Sequence, residues 1–315
     1  MRIFHGVVVP MLTPLEQDGG LDRPALGRYI EHLLGNGVNG LFTLSSTGEF
    51  CALPWASQCE LVEAVVERAA GRAPVCAGVS TQCLKESIAH SRDMAAAGVQ
   101  AVVALPPFYF RTSQEEMRVF FSRLADKSPV PLILYNMPFR TQHVIEPETV
   151  FALRGHGNII GLKDSVSDAE RTIQLSEALR GEGAFSYLHG NELLTLEAAD
   201  HGAHGCVPSL ANLAPGFFAA AWKRAAAGDH SAREDDQRKM AALMSSFSLF
   251  EERPQQSTTL RLMAHKAILA ELGVMSAHMA QLAPPVSPAW RSRARDFVAE
   301  HGLSSMWQHP SAESC

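Results

Sequence analysis

The sequence predicts an α/β fold, specifically a (β/α)8 TIM barrel followed by a C-terminal helical extension. Short apolar runs rich in Val, Ile and Leu recur at intervals of roughly 20 to 37 residues, the size of one βα unit. Amphipathic segments such as 57–70, 85–97 and 114–125 lie between these runs. This alternation indicates a parallel sheet covered by helices, and eight such units favour a closed barrel over an open sheet.

The eight candidate strands begin at the N-terminus. We place the first at Ile3-Phe4 and the others at 40–44, 74–79, 101–105, 132–135, 159–162, 185–188 and 205–208. No G-x-G-x-x-G motif follows the first strand, which argues against a dinucleotide-binding sheet.

The chain divides into three parts on this interpretation. Residues 1–228 form the catalytic barrel. Residues 229–303 form an extension of three helices, joined at Pro254 and at the Pro284-Pro285 loop, because no strand signal interrupts their helical periodicity. Residues 304–315 form a polar tail.

Composition excludes several classes of protein. The 315 residues are 46% hydrophobic, with a net charge of -6 and no Lys/Arg-rich run, so we expect no nucleic-acid partner. No apolar stretch reaches the roughly 18 to 20 residues that span a bilayer, and the N-terminus lacks the features of a signal peptide. The six cysteines are scattered without a C-x-x-C pair, which is typical of reduced thiols and predicts a cytoplasmic location.

The strand ends carry the chemistry, because the active site of such a barrel lies at the C-terminal ends of its strands. The second run leads into Ser45–Glu49, the fourth into a segment that contains Tyr109, the fifth into Tyr135 and the sixth into Lys163. Hydroxyls, phenols and an amine should therefore converge at one mouth.

Lys163 is the only one of six lysines at a predicted strand end; we expect the others to be solvated on helices (Lys85, Lys127, Lys223, Lys239 and Lys266). An amine that is partly removed from water populates its neutral, nucleophilic form more readily. Such an amine can attack a ketone and form a Schiff base, which then acts as an electron sink. The alternative is an ion pair between Lys163 and Asp164 or another buried acid.

The neighbouring strand ends would support that chemistry. The phenol of Tyr135 could move protons on and off oxygen, although a core tyrosine with its hydroxyl bonded to backbone is the alternative. The Ser45–Glu49 turn offers hydroxyls and backbone N–H groups that suit a carboxylate. Its alternative is a helix N-cap with Glu49 in the first turn.

No metal site or organic cofactor is predicted. His201 and His204 have helix-like spacing, but glycines interrupt the helix and no third ligand is evident nearby. There is no H-E-x-x-H motif, no G-x-S-x-G elbow and no Walker A loop.

In this order, several motifs resemble the dihydrodipicolinate synthase / N-acetylneuraminate lyase family of pyruvate-dependent class I aldolases. The resemblance covers nearly the whole chain and rests on GVVVPMLTP (6–14), SSTGEF (45–50), PPFYF (106–110), YNMPFRT (135–141), GLKDS (161–165) and a stretch over 189–215. It implies a lyase that condenses or cleaves pyruvate, or another 2-keto acid, with an aldehyde.

The resemblance also implies roles for individual residues. Lys163 would be the Schiff-base lysine, and Tyr135 the general acid/base, helped by the hydroxyl of Ser46. Tyr109 resembles a tyrosine that family members insert from a neighbouring subunit, which implies a homotetramer built as a dimer of dimers.

The substrate-binding residues follow from the same motifs. Ser46 and Thr47 would bind the pyruvyl carboxylate, Gly190 and Val207 would line the pocket, and Arg140 would meet a second carboxylate at the mouth. A planar guanidinium fork suits that last task.

Three departures leave the second substrate open. The synthase branch usually has Gly-Thr-Thr-Gly-Glu where this chain has Ser45-Ser46-Thr47-Gly48-Glu49. The Ser46-Thr47 pair is more similar to the N-acetylneuraminate lyase and sugar-acid aldolase branches, and Ser45 replaces a glycine. Those branches, however, often lack the arginine found here as Arg140. Phe108 stands where the synthase branch often has a second tyrosine, directly before the tyrosine that corresponds to Tyr109. This mixed signature favours a catabolic paralogue, with aspartate semialdehyde or a sugar-derived, hydroxylated or aromatic aldehyde as partner. A 2-keto-3-deoxy sugar acid or N-acetylneuraminate-type aldolase, a dehydratase or deaminase using the same imine, and a non-catalytic pyruvate-binding regulatory barrel are the alternatives.

Overall fold

Eight parallel strands close into one barrel in sequence order, as the alternation predicted. The computed structural model of the protein describes residues 2–251, 258–280 and 282–307. The strands are β1 (Gly6–Pro10), β2 (Gly40–Thr43), β3 (Val75–Gly78), β4 (Ala101–Ala104), β5 (Leu132–Asn136), β6 (Ile159–Asp164), β7 (Ser186–His189) and β8 (Gly205–Cys206). The first strand begins three residues later than expected. Gly6 starts it with φ 61°, and an added Cβ would lie 2.1 Å from the Asn39 side chain, so only glycine fits there.

The helices of the barrel alternate with these strands. They are α1 (Arg23–Gly35), α2 (Trp55–Ala69), α3 (Leu84–Ala96), α4 (Gln114–Lys127), α5 (Pro138–Thr141), α6 (Pro147–Leu153), α7 (Ala169–Leu179), α8 (Thr195–Asp200) and α9 (Pro215–Ala226). Their starts follow from local chemistry. For example, Ser113 and Glu116 form a reciprocal capping box at the start of α4, which satisfies two backbone N–H groups that have no partner within the helix.

The C-terminal segment adds α10 (Arg233–Leu243), α11 (Thr258–Glu271), α12 (Pro288–Glu300) and α13 (Leu303–Met306). The last of these falls partly in the stretch expected to be a polar tail. Trp307 after it is buried: its indole N–H donates to the Leu213 carbonyl at 3.1 Å, and its ring stacks on His32. Pro254 and residues 308–315 lie outside the described residues, so the expected helix junction and the end of the tail are not described. No helix within the described ranges has both the length and the apolar character needed to cross a bilayer.

The strand pleat separates two apolar cores. The larger packs the helices against the outside of the barrel and includes Val7, Leu134 and Leu162. The smaller fills the barrel interior and consists of Phe4, Val8, Phe42, Cys76, Ala101, Val103, Leu105, Ile133, Tyr135, Leu188 and Val207. Because successive side chains of a strand point to opposite faces, each strand end presents one residue to the interior and the next to the helices.

Candidate active site

Lys163 lies inside the barrel. Its side chain is only 5% exposed, and its Nζ is 4.1 Å from the ring centroid of Tyr135 and 4.9 Å from that of Phe42. Both rings belong to the interior core. Within the described ranges no carboxylate lies within 4.0 Å of this ammonium, so its main neighbours are aromatic faces, which attract a cation weakly compared with an acid.

Asp164 turns to the opposite face and does not pair with Lys163. Its carboxylate accepts from Arg171 Nε at 3.0 Å and from Asn136 Nδ2 at 2.9 Å. Burial raises the pKa of the Asp164 carboxyl, and the Arg171 guanidinium opposes that change. The ion pair between Lys163 and Asp164, which was the alternative to a reactive amine, is therefore excluded.

Tyr135 lies beside Lys163 because the two residues are register partners on β5 and β6. The phenol ring is buried, and it meets Phe42 edge-on with the ring centroids 6.2 Å apart. The amine and the phenol are thus adjacent groups on one interior face.

The Ser45–Glu49 turn that follows β2 is tightly held. Gly48 N donates to the carbonyl of Ser45 at 3.0 Å, and the Thr13 hydroxyl donates to the carbonyl of Gly48 at 2.7 Å. An added Cβ on Gly48 would lie 2.9 Å from the Met11 carbonyl, so glycine is required at this position. Ser46 and Thr47 lie half-buried on this turn.

Glu49 does not cap a helix, because its side chain makes no capping bond to the short turn that follows it. It forms an ion pair with Lys266 of α11, with Nζ and Oε1 2.6 Å apart and both side chains fully buried. Lys266 also donates to the carbonyl of His278 at 2.6 Å, and Ala280 N donates to Glu49 Oε2 at 2.9 Å. The C-terminal segment therefore anchors the turn that carries Ser46 and Thr47.

The expectation of a solvated Lys266 was wrong. Burial lowers the pKa of this lysine, while the Glu49 carboxylate raises it. The signal was in the sequence of α11, where residues 262–269 are apolar on nearly every face apart from His265 and Lys266. A helix that is apolar all round is buried, and a lysine inside it needs a partner.

Tyr109 is exposed, whereas Lys163 is buried. The segment after β4 exposes Tyr109 by 79% and Phe110 by 77%, and their rings meet edge-on. Gln82 holds this segment, since its side-chain oxygen accepts from the backbone N–H groups of Phe108 and Tyr109. In a single chain, the Tyr109 side chain is therefore exposed at the surface.

Arg140 lies at the mouth, on α5 just after the end of β5. Its guanidinium donates to the hydroxyl of Thr258 and lies 5.0 Å from the ring centroid of Phe139. Burial, together with the positive charge of Arg261, lowers the pKa of Arg140.

Gly190 and Val207 follow β7 and β8. Gly190 N donates to the carbonyl of Asp164 at 2.7 Å, and an added Cβ there would lie 2.2 Å from Ser165 Oγ. Val207 is buried in the interior core that also contains Tyr135. Gly190 thus borders the strand end that carries Lys163, and Val207 lies in the core beside it.

Sequence reasoning missed several buried polar groups around this site. Cys76 lies in the interior core, and burial raises the pKa of its thiol while the charge of Lys163 opposes that change. His189, the register partner of Asp164 on β7, is buried, and burial lowers its pKa to about 4. Neither of its ring nitrogens has a hydrogen-bond partner among the described residues. Strand alternation alone could have placed His189 beside Asp164, but not its lack of partners. Across the same described ranges, no three His, Cys, Asp or Glu side chains are grouped to hold a metal ion.

Comparisons with known proteins agree with this geometry. A family model described as the dihydrodipicolinate synthetase family matches residues 3–296. The 4-hydroxy-tetrahydrodipicolinate synthase of Pseudoalteromonas atlantica is 32% identical over 244 residues, which cover 78% of this chain and 83% of that protein.

Solved structures are similar over almost the full length. Dihydrodipicolinate synthase from Bacteroides thetaiotaomicron matches with a TM-score of 0.88 and 30% identity, covering 95% of this chain and 100% of that one. The chloride-inhibited synthase from Acinetobacter baumannii, complexed with pyruvate, matches with a TM-score of 0.85 and 26% identity, covering 95% and 99%. The predicted barrel, family and reaction class, a lyase that works through a lysine imine, are confirmed. The chain belongs to the dihydrodipicolinate synthetase family.

Proposed function

We propose that the protein joins pyruvate, or a closely related 2-keto acid, to an aldehyde through an imine on Lys163. The amine adds to the keto carbon, water leaves, and loss of a proton from the adjacent carbon gives an enamine that attacks the aldehyde carbon. The observation that carries this proposal is the buried Lys163 amine, which has Tyr135 beside it and no carboxylate in contact within the described ranges. The pyruvate complex of the Acinetobacter baumannii relative supports the choice of keto acid.

Tyr135 would carry the protons that this sequence of steps requires. Forming and dehydrating the carbinolamine moves a proton on and off one oxygen, and a phenol next to the amine can do both. We assign the hydroxyl of Ser46 to assist it, and Ser46 and Thr47 to hold the pyruvyl carboxylate. The rigid turn supports that assignment, because fixed donors lose little entropy when an anion binds. Gly190 and Val207 would complete the pocket walls.

The aldehyde partner is proposed to carry a carboxylate. Arg140 supports this, since a guanidinium at the mouth of a pocket suits a second acidic group. The names of the curated relatives point the same way, to 4-hydroxy-tetrahydrodipicolinate synthase chemistry. The Ser46-Thr47 pair instead favours a second candidate, an aldolase acting on a sugar-derived aldehyde in catabolism. A panel of acidic and hydroxylated aldehydes offered with pyruvate separates the two.

Borohydride reduction in the presence of pyruvate tests the imine. We expect one reduced pyruvyl group per chain, on the peptide that contains Lys163, because the reduced amine can no longer hydrolyse. Peptide mass spectrometry identifies the modified residue, and omission of pyruvate is the control. An adduct on another lysine, or no adduct at all, contradicts the proposal.

We further propose a homotetramer, built as a dimer of dimers, in which Tyr109 completes the active site of a neighbouring copy. The exposed rings of Tyr109 and Phe110 support this, because large apolar side chains that protrude together usually mark an interface.

We also propose a cytoplasmic location. The scattered thiols support it, since none of the five described cysteines is in a disulfide.

Co-expression of Tyr109→Ala with Lys163→Met tests the shared site. Each variant alone should be nearly inactive, but a mixed dimer contains one site with both an intact lysine and an intact tyrosine. Random pairing would restore about a quarter of the wild-type activity. Sedimentation should show tetramers. Activity that stays at the sum of the two single variants, or an active monomer, would refute the shared site.

A further inference from the structure

The first turn of α11 reaches the mouth of the barrel. Its first residue, Thr258, accepts a hydrogen bond from the Arg140 guanidinium. Arg261 lies three residues further along, and residues three apart lie on the same face of a helix. The helix therefore presents a second arginine on the face that contacts Arg140.

Arg261 is partly buried, and no acid among the described residues neutralises it. Its guanidinium lies over the Phe247 ring, 4.4 Å from the centroid, and its Nε is buried with no hydrogen-bond partner in the part of the chain that the structure describes. Over residues 2–251, 258–280 and 282–307, no carboxylate lies within 4.0 Å of the side chain of Arg140 or Arg261. The positive charge of Arg261 also contributes to the lowered pKa of Arg140.

Two like charges in one partly desolvated place repel each other, so this arrangement alone is unfavourable. A carboxylate bound between them would relieve the repulsion and supply acceptor oxygens to the guanidinium of Arg261, whose buried Nε has no acceptor among the described residues. The guanidinium group suits this task, because its planar fork of N–H donors matches the two oxygens of a carboxylate. Stacking on the Phe247 ring would hold the Arg261 guanidinium in place.

We propose that Arg261 joins Arg140 to form a two-guanidinium site at the mouth, which binds the carboxylate of the second substrate. Arg261 is then a specificity-determining residue that favours acidic aldehydes over neutral or hydroxylated ones. This rests on the proposed Schiff-base function, since the aldehyde is the second reactant there. Arg261 is thus a substrate-binding residue from the C-terminal segment, in a site otherwise built from barrel residues.

Two variants separate charge from packing. Arg261→Met keeps an extended side chain over Phe247 but loses the charge, and Arg261→Lys keeps the charge but loses the fork. Arg291→Met, on an exposed part of α12, is the matched control. We would measure kcat/KM with pyruvate and four aldehydes: aspartate semialdehyde and succinic semialdehyde as acidic substrates, and glyceraldehyde and butanal as uncharged ones.

We expect Arg261→Met to lower kcat/KM for the acidic aldehydes by about 10- to 100-fold, the loss typical of one charge-assisted hydrogen bond. The values for uncharged aldehydes and the KM for pyruvate should change by less than about 2-fold, and Arg261→Lys should be intermediate. Equal losses for both kinds of aldehyde, no loss for the acidic ones, or a wild-type preference for glyceraldehyde would overturn the proposal. Borohydride trapping of pyruvate should remain in every variant. Its absence from the wild type would instead refute the underlying function.

Discussion

Replacing Lys163 with methionine is expected to lower kcat by at least about 10⁴-fold, in line with removal of other covalent nucleophiles. Without the amine no imine forms, and Tyr135 and the Ser45–Glu49 turn can only bind the keto acid. Steady-state turnover and the borohydride adduct should disappear together. Lys223→Met, which removes an exposed helical lysine, should leave both unchanged.

The same variant should fold at least as well as the wild type. Lys163 buries its ammonium against the rings of Tyr135 and Phe42, so a methionine of similar length removes a desolvated charge without leaving an acid unpaired. We expect the free energy of unfolding to stay the same or to rise by about 1 kcal/mol, as is common when an active-site residue is replaced by an apolar one. A marked loss of stability would mean that Lys163 has a structural role, and retained turnover would mean that it does not form the imine.

Lys266→Met should have the opposite effect on stability. This substitution leaves Glu49 buried without its cation, and breaking a buried ion pair typically costs about 3–5 kcal/mol. The turn with Ser46 and Thr47 depends on Glu49, so we also expect a raised KM for pyruvate with a smaller change in kcat. Denaturant unfolding and steady-state kinetics measure the two effects.

A second substitution distinguishes the ion pair from simple packing. In the double variant Glu49→Gln/Lys266→Met no charge is left unpaired, and the glutamine oxygen can still accept from Ala280 N. Most of the lost stability should return, as it does when both partners of a buried pair are replaced. Losses that simply add, or a single Lys266→Met variant as stable as Lys223→Met, would show that the pair does not hold the turn.

The parts of the site that lie at the ends of neighbouring strands could be predicted from the sequence. Lys163 and Tyr135 end adjacent strands of a parallel barrel, so their proximity follows from strand order and register. The opposite direction of Asp164 follows from strand alternation, although the sequence alone left its pairing with Lys163 open.

The contributions of the C-terminal segment could not be predicted in this way. Lys266 and Arg261 lie far along the chain from Glu49 and Arg140, and no local pattern states where α11 returns to the barrel. An average helical lysine is solvated, and that general tendency gave the wrong expectation for Lys266. Tyr109 is different again, because its proposed partner lies on another copy of the chain.

At the end of β6, two neighbouring side chains point to opposite faces of the strand, one into the barrel and the other toward the helices. Lys163, the proposed imine residue, faces inward, and Asp164 faces outward into a hydrogen-bonded frame with Asn136 and Arg171. The arginines that would select the aldehyde lie on helices outside that frame. A substitution at the mouth is therefore expected to change which aldehyde the protein accepts, while the inward position of Lys163 stays as it is.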